Sequence, residues 1–254
     1  MPQSELDVWA VLASLSLVGV AVGVSAWRGL GLERTIVWAS LRAAVQLLAA
    51  GLVLAVAFDS QLLPWVWIVA MVAYSAETVR RRAGGGSEIR NVGLLAIGGS
   101  TAFSLLVVFG LGVLDFTPVS LIVTAGITIG NTMPATVLAV TRTNEYLVNG
   151  RGELEAMLAL GFGRSQVAKV VGAIVARSAL IPQIERTKVV GLIALPGAMT
   201  GLLLAGVDPL QAVLIQLVVM YLVLGSVTTS VLLVTLASAR HLLTGDLRVR
   251  DRAI

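Results

Sequence analysis

PVSLIVTAGITIGNTMPATVLAVT, from Pro118 to Thr141, runs through 24 residues without one acidic or basic side chain. An α-helix needs about 20 consecutive apolar residues to cross a hydrocarbon core about 30 Å thick, so this stretch is a membrane span. It opens on Thr117 and Pro118, a cap residue and a first-turn proline. Both favour helix initiation, because the first amides of a helix have no partner inside it.

Six further runs of the same kind flank it: Val8 to Trp27, Thr35 to Phe58, Leu62 to Val79, Asn91 to Leu114, Val189 to Val207 and Pro209 to Ala239. The third and sixth are the shortest and the seventh is overlong. Of the 254 residues, 57% are hydrophobic and 13% charged, and the mean hydropathy is +0.94. A soluble domain is about 45–50% apolar and about 25% charged. The amino terminus reads MPQSELD before a full-length span, which argues for an uncleaved first helix rather than a signal peptide.

Charge placement orients the chain. Arg28 and Arg34, then Arg80, Arg81, Arg82 and Arg90, then the stretch from Arg142 to Lys188, then the tail from Arg240 to Arg252 fall in alternate gaps between spans. The other gaps hold only acids: Glu5, Asp7, Asp59, Asp115 and Asp208. The positive-inside bias puts the basic side in the cytoplasm. The expectation is an all-α polytopic membrane protein of about seven transmembrane helices, with the N-terminus outside and the C-terminus cytoplasmic. The Arg80–Arg82 run fits topology and contact with anionic membrane lipid, not nucleic acid, since no aromatic side chain is interleaved with it. The loop AGGGSEIR that follows reads as a flexible glycine linker.

One cytoplasmic stretch, residues 142–188, is long and polar. Asn149-Gly150 signals a turn, and a short helix from Glu153 to Leu160 follows, with Leu154, Met157 and Leu158 on one face and Gly161 as its stop. Glu153 and Glu155 suit the positive end of its dipole. Beyond it, Val167, Val170, Val171, Ile174, Ile181 and Ile184 form a stripe against Lys169, Arg177, Gln183, Glu185 and Arg186, with Pro182 expected to bend or interrupt the helix. This second helix reads either as an interfacial helix on the membrane or as a rigid extension into the sixth span.

Polar groups inside spans are the default candidates for a pathway, since a charge at mid-bilayer costs about 2.5–3.5 kcal/mol. Arg42 lies about 12 Å deeper than Arg34 at 1.5 Å per residue, Gln46 is one turn on, and Glu77 is a potential partner for Arg42. A structural cluster locking the second and third helices is the competing reading. Matching interruptions are expected in the fifth and sixth spans, at Gly126, Gly130, Asn131, Met133 and Pro134 and at Pro196, Gly197, Met199 and Gly201. The glycines permit close helix contact, and the prolines free carbonyls that are tolerated where a broken helix lines a route.

The segment Glu155-Ala156-Met157, then Leu158, Ala159, Leu160 and Gly161, follows the EAA-and-Gly pattern by which some ABC permeases write the helix that docks into their ATPase, with Met157 in place of the second alanine. The IxLP ending that often follows is replaced by Val171-Gly172-Ala173-Ile174. SLRAAVQLL at Ser40 to Leu48, AGITIGNTMPATVLAV at Ala125 to Val140, LALGFGRSQVA at Leu158 to Ala168 and the stretch from Arg177 to Gln216 together resemble the FetB-type iron-export ABC transporter permeases. The resemblance implies one permease domain over residues 1–254 in the plasma (inner) membrane, and a homodimer. It also implies a separate ABC ATPase as partner and iron as the exported species, with nucleotide sugars linked to plant relatives. On that reading Glu153, Glu155, Ala156, Leu158, Gly161 and Arg164 form the ATPase contact, and Arg42, Gln46, Glu77, Asn131, Met133 and Met199 line the pathway.

The chain carries no GxxxxGK[ST] phosphate loop, so ATP and Mg belong to the partner and this chain has no cofactor of its own. It has no HExxH, GxSxG or paired intramembrane aspartates either, so it does not read as an enzyme. With no cysteine and a single histidine, His241 in the tail, no soft metal site is available in the membrane. Iron moving through a transient path or as a complex fits better than a tight iron site. A self-sufficient secondary carrier or channel is the alternative from another class.

Overall fold

The computed structural model describes residues 8–57 and 62–239. Glu5, Asp7, Asp59, His241 and the tail arginines lie outside the described residues. The chain divides into two compact units, Met1–Asp59 and Ser60–Ile254. In the first, α1 (Val8–Trp27) and α2 (Glu33–Ala57) pack on each other. Their turn is closed by the Ser25 hydroxyl, which donates to a Glu33 carboxylate oxygen at 2.7 Å and accepts from the Leu32 amide at 3.2 Å.

The second unit contains α3 (Leu63–Ala83), α4 (Ser87–Gly93) running through a π-helical turn at Leu94–Gly98 into α5 (Gly99–Gly110), α6 (Pro118–Asn149), α7 (Arg151–Ala159), α8 (Arg164–Val189), α9 (Gly197–Leu204) and α10 (Pro209–Ala239). No named strand occurs among the described residues. Among the described residues five segments are long and apolar enough to cross a membrane: Glu33–Leu52, Ser87–Gly110, Pro118–Asn149, Arg164–Val189 and Pro209–Ser238, with a shorter apolar one at Leu12–Trp27. Their apolar outer faces are what a lipid solvent requires, so the chain is an integral membrane protein.

The initiation signals work as the sequence implies. The Thr117 hydroxyl accepts from the Ser120 amide at 3.1 Å, and an Asp208 carboxylate oxygen accepts from the Leu210 and Gln211 amides at 3.0 and 3.2 Å. The AGGGSEIR stretch, by contrast, is a tight three-residue connection and not a free linker. Gly84 adopts φ +70° and both Gly84 and Gly85 return their amides to the Arg80 carbonyl.

The core lies around α6, which packs on α3, α8 and α10. Ile97, Ile129, Val140, Val171, Val227 and Val231 are fully buried there. Small side chains bring the helices close, as lipid offers no hydrophobic drive for helix association and packing must supply it. Thr124, Thr128, Thr132 and Thr136 recur every fourth residue on the buried face of α6. The Thr128, Thr132 and Thr136 hydroxyls donate to carbonyls one turn back, and the Thr136 and Ser230 hydroxyls bond to each other at 2.7 Å.

Neighbouring pairs fix the directions. Gly93 faces Ala76 and Gly98 faces Val72. Gly99 faces Leu233 while Val107 and Tyr221 share a cavity. Thr136 bonds Ser230 while Asn131 and Val223 share another, and Gly172 faces Thr235 while Gln183 and Val223 share that same one. So α3, α6 and α10 run one way while α4–α5 and α8 run the other. The sixth crossing therefore differs from the expected single span at Val189 to Val207. Its inner half is the C-terminal part of α8 and its outer half is the eight-residue α9, with a break over residues 190–196. The basic residues of α8 lowered its apparent hydropathy and made it look like a surface helix. Its buried face is Val167, Val171, Val175 and Ala179, while Ile174, Ile181 and Ile184 face outward.

Two further expectations are corrected. α6 continues through Pro134 and α8 through Pro182, so the fifth span is not broken and the interruption falls after α8. A proline removes one helix bond, and here the Asn131 side-chain amide and the threonine hydroxyls hold the surrounding carbonyls of α6. Close packing does not account for Gly130, Gly197 and Gly201 within the chain, since a Cβ on any of them meets nothing within 4 Å. At Gly93, in contrast, a Cβ would sit 3.2 Å from the Ala76 Cα. Gly93→Leu is expected to destabilise the unit by about 1–3 kcal/mol, the range for overpacking a filled contact, whereas Gly130→Ala leaves it folded as stably as before. Thermal unfolding of the detergent-solubilised proteins checks both.

Candidate functional site

Where α8 stops, the chain turns on itself. Gly191 takes φ +87°, its amide donates to the Ala194 carbonyl at 3.0 Å, and the Ile193 amide donates to the Val189 carbonyl at 3.1 Å. Pro196 then opens α9 with no side-chain cap. Irregular backbone at membrane depth survives only where it is buried in protein or lines a cavity. Here it lines one.

A cavity of about 450 Å³ lies between α6, α8, α10 and the break. Its polar wall is Asn131, Gln183, Arg186, Thr187 and Gln216, with Pro196 and Ala198 supplying the first turn of α9. A smaller one of about 150 Å³ shares Asn131, Gln183 and Arg186 and sets Gly130 and Pro134 of α6 against Pro182 of α8. At 1.5 Å per residue, Gln216 and Val223 lie about 10 and 21 Å along α10 from Pro209, and Asn131 lies about 20 Å along α6 from Pro118. The cavity thus sits near the middle of a core about 30 Å thick.

Each polar group has a defined state. The Asn131 side-chain amide donates to the Ile127 carbonyl at 2.8 Å, leaving its oxygen for another partner. The Gln216 Oε1 is buried and accepts no hydrogen bond. Arg186 makes no ion pair among the described residues, unlike Lys188, which pairs with Glu185 at 2.8 Å. No aspartate or glutamate is among the described lining residues, and no group of three or more His, Cys, Asp or Glu is placed to hold a metal ion among the described residues.

Of the residues expected on a pathway, Asn131 lines both cavities. Met133 packs against the bundle core instead, and Met199 sits half-buried on α9. Arg42 and Gln46 lie on α2 with exposed side chains. Glu77 is engaged within its own helix, its carboxylate receiving Arg80 at 2.6 Å and Arg81 at 2.8 Å. Pro134, Pro196 and Gly130 reach the cavities. Gln183, Arg186 and Gln216 were not assigned to the pathway from sequence. Gln216 carried a signal, as an amide inside an otherwise apolar span.

The short helix is α7. Leu154 is fully buried, and Met157 and Leu158 pack against the core, while Glu155, Ala156 and Leu160 are exposed. The Tyr146 hydroxyl donates to Glu153 at 2.8 Å, and Arg151 donates to Glu155 at 2.9 Å. Gly161, at φ +88°, ends it: its amide bonds to the Leu158 carbonyl and the Phe162 amide to the Met157 carbonyl, a Schellman termination. The Gly163 amide then donates to the Gln166 side chain at 2.8 Å, starting α8 immediately with Arg164 as its first residue.

This fold and site define a polytopic, all-helical membrane protein with one broken crossing beside a polar mid-membrane cavity. The chain belongs to the family described as "Uncharacterised protein family (UPF0014)", whose model matches residues 8–243. It is similar to the UPF0014 membrane protein STAR2 of Oryza sativa subsp. japonica, with 36% identity over 94% of this chain and 85% of that protein. The UPF0014 membrane protein slr1647 of Synechocystis is also 36% identical, over 91% of this chain and 92% of its own. The probable iron export permease protein FetB of Escherichia coli is 30% identical, over 87% and 86%. No solved structure matches.

The chain has no cysteine, which suits single-cysteine labelling. Gln183→Cys and Gln216→Cys are expected to react with a small charged methanethiosulfonate in membranes, whereas Val231→Cys, in the packed core, stays unlabelled. Mass spectrometry of the intact protein reads the difference.

Proposed function

We propose that this chain is the membrane permease subunit of an ATP-driven exporter, paired as a homodimer and moved by a separate ABC ATPase that binds ATP and Mg. The observation that carries the reading is α7. Its apolar face is anchored to the bundle and its other face is free, at the end of the bundle that the basic residues mark as cytoplasmic. A helix of this form, held on one side and exposed on the other, suits insertion into a groove on a partner.

α7 is joined by a fixed turn to α8, whose far end carries Gln183 and Arg186 on the cavity wall. Closure of the ATPases would push α7, tilt α8 and alter the cavity next to the break. A carrier without an ATPase has no use for that connection. The cargo assignment to iron rests on the name of the Escherichia coli relative, an iron export permease. Since no acidic or histidine cluster among the described residues is placed to hold a bare ion, binding along the route is transient or directed at an iron complex.

Glu155→Lys reverses an exposed charge on the docking face without touching the core. It should leave insertion and folding intact, yet lower permease-dependent ATP hydrolysis by the co-expressed ATPase at least about tenfold, about 1.4 kcal/mol of coupling. Unchanged hydrolysis, or failure of any P-loop ATPase to co-purify with the wild type, would remove the reading.

A further inference from the structure

Two features of the mid-membrane cavity favour negative charge, and a third favours a hydroxyl or N–H donor. Arg186, an exposed residue at the cavity rim, brings a full positive charge to it and has no acid paired to it among the described residues. The first turn of α9 contributes its uncapped N-terminus through Pro196 and Ala198. The first amides of a helix have no partner within it and carry the positive end of the dipole. At the end of α8 the Val189 carbonyl is occupied, accepting from the Ile193 amide at 3.1 Å. Finally, the orphan Gln216 oxygen, together with the Asn131 oxygen, asks for a hydroxyl or N–H donor on whatever binds.

A bare metal cation meets the wrong sign here. It would have to enter against Arg186 with only neutral oxygens as ligands among the described lining residues, whereas tight sites for hard cations include carboxylates. A half-helix N-terminus at a broken crossing is instead the arrangement that receives negatively charged groups of a solute. Arginine also matches the planar oxygen pairs of carboxylate and the oxygens of phosphate.

We propose that this cavity binds an oxygen-rich anion, carboxylate or phosphate with hydroxyl groups nearby, received by Arg186 and the α9 N-terminus with Gln216 and Asn131 accepting from its hydroxyls. It rests on reading the chain as an exporter's permease and names the cargo class: any metal that crosses does so inside an anionic chelate. Arg186 is then a specificity-determining residue of the transport site.

The test uses the full chain in nanodiscs without any ATPase, so it reads the cavity and not the coupling. Citrate, ferric citrate, pyrophosphate and ferrous ion alone are titrated, and thermal stabilisation and calorimetry are recorded. Wild type is expected to bind at least one of the three anions. Citrate against pyrophosphate separates a carboxylate from a phosphate cargo, and citrate against ferric citrate shows whether the metal takes part. Arg186→Gln should weaken that binding at least about tenfold, the usual size of a lost charge-assisted bond, and Arg186→Lys should recover part of it. Lys188→Gln, two residues away and outside the cavity, should change nothing. The unliganded melting point of each variant reports whether it folds. Binding that survives Arg186→Gln in a folded protein, no binding of any anion, or ferrous ion binding alone with equal strength in wild type and Arg186→Gln would overturn the proposal. The exporter reading stands or falls separately, on α7 and the co-purifying ATPase.

Discussion

In hydrocarbon, every peptide group has to find its hydrogen-bond partner within the protein, and the arrangement of this molecule follows from how that demand is met at one place. Elsewhere among the described residues the long helices meet it along a continuous ladder, through a π-helical turn at Leu94–Gly98 in one case. The sixth crossing does not. Between Val189 and Pro196 the ladder stops, and a short turn bonds the amides of Gly191 and Ile193 to nearby carbonyls instead. One side of this turn, at Val190 and Ala194 to Pro196, faces the cavity beside α6 and α10, while Leu192 and Ile193 stay exposed. The close fit of α6 and α10, held by small side chains and by the Thr136–Ser230 contact, closes the far side of that cavity.

The hydroxyls on α6 show the same demand at smaller scale. A threonine every fourth residue would be an exposed polar row on a bare membrane helix. Folding the Thr128, Thr132 and Thr136 hydroxyls back onto the carbonyl one turn earlier satisfies them locally and leaves a narrow ridge for α10 to approach. The buried oxygens that have no partner, such as Gln216 Oε1, stand out against this economy, because an unsatisfied buried acceptor costs about 1–3 kcal/mol.

Most of the bundle was legible in the sequence. Charge-free runs gave Val8–Trp27 and Pro209–Ala239 to the residue, and Thr117 and Asp208 marked helix starts. The short helix was legible from Leu154, Met157, Leu158 and Gly161, since i, i+3 and i+4 spacing is local information. The sixth crossing was not, because Lys169, Arg177, Arg186 and Lys188 make α8 look like a surface helix. Its depth is set by Gly172 lying against Thr235, a contact between residues far apart in sequence. For the same reason Arg186 and Gln183 read as a solvated face. Glu77 was read as free to reach another helix, although Arg80 and Arg81 stand one turn away and both bond to it.

α8 is one continuous helix of 26 residues, about 39 Å long, with its first turn fixed to α7 and its last turn in the cavity wall. Mechanically it is a beam. A tilt of about 5° shifts one end against the other by about 3 Å, comparable to the width of a water molecule. With the beam stiff, the compliance falls on the seven residues from Val190 to Pro196, where Gly191 alone has left-handed backbone. The stiffness of that short segment, more than the strength of any contact at α7, then sets how far the cavity opens for a given stroke.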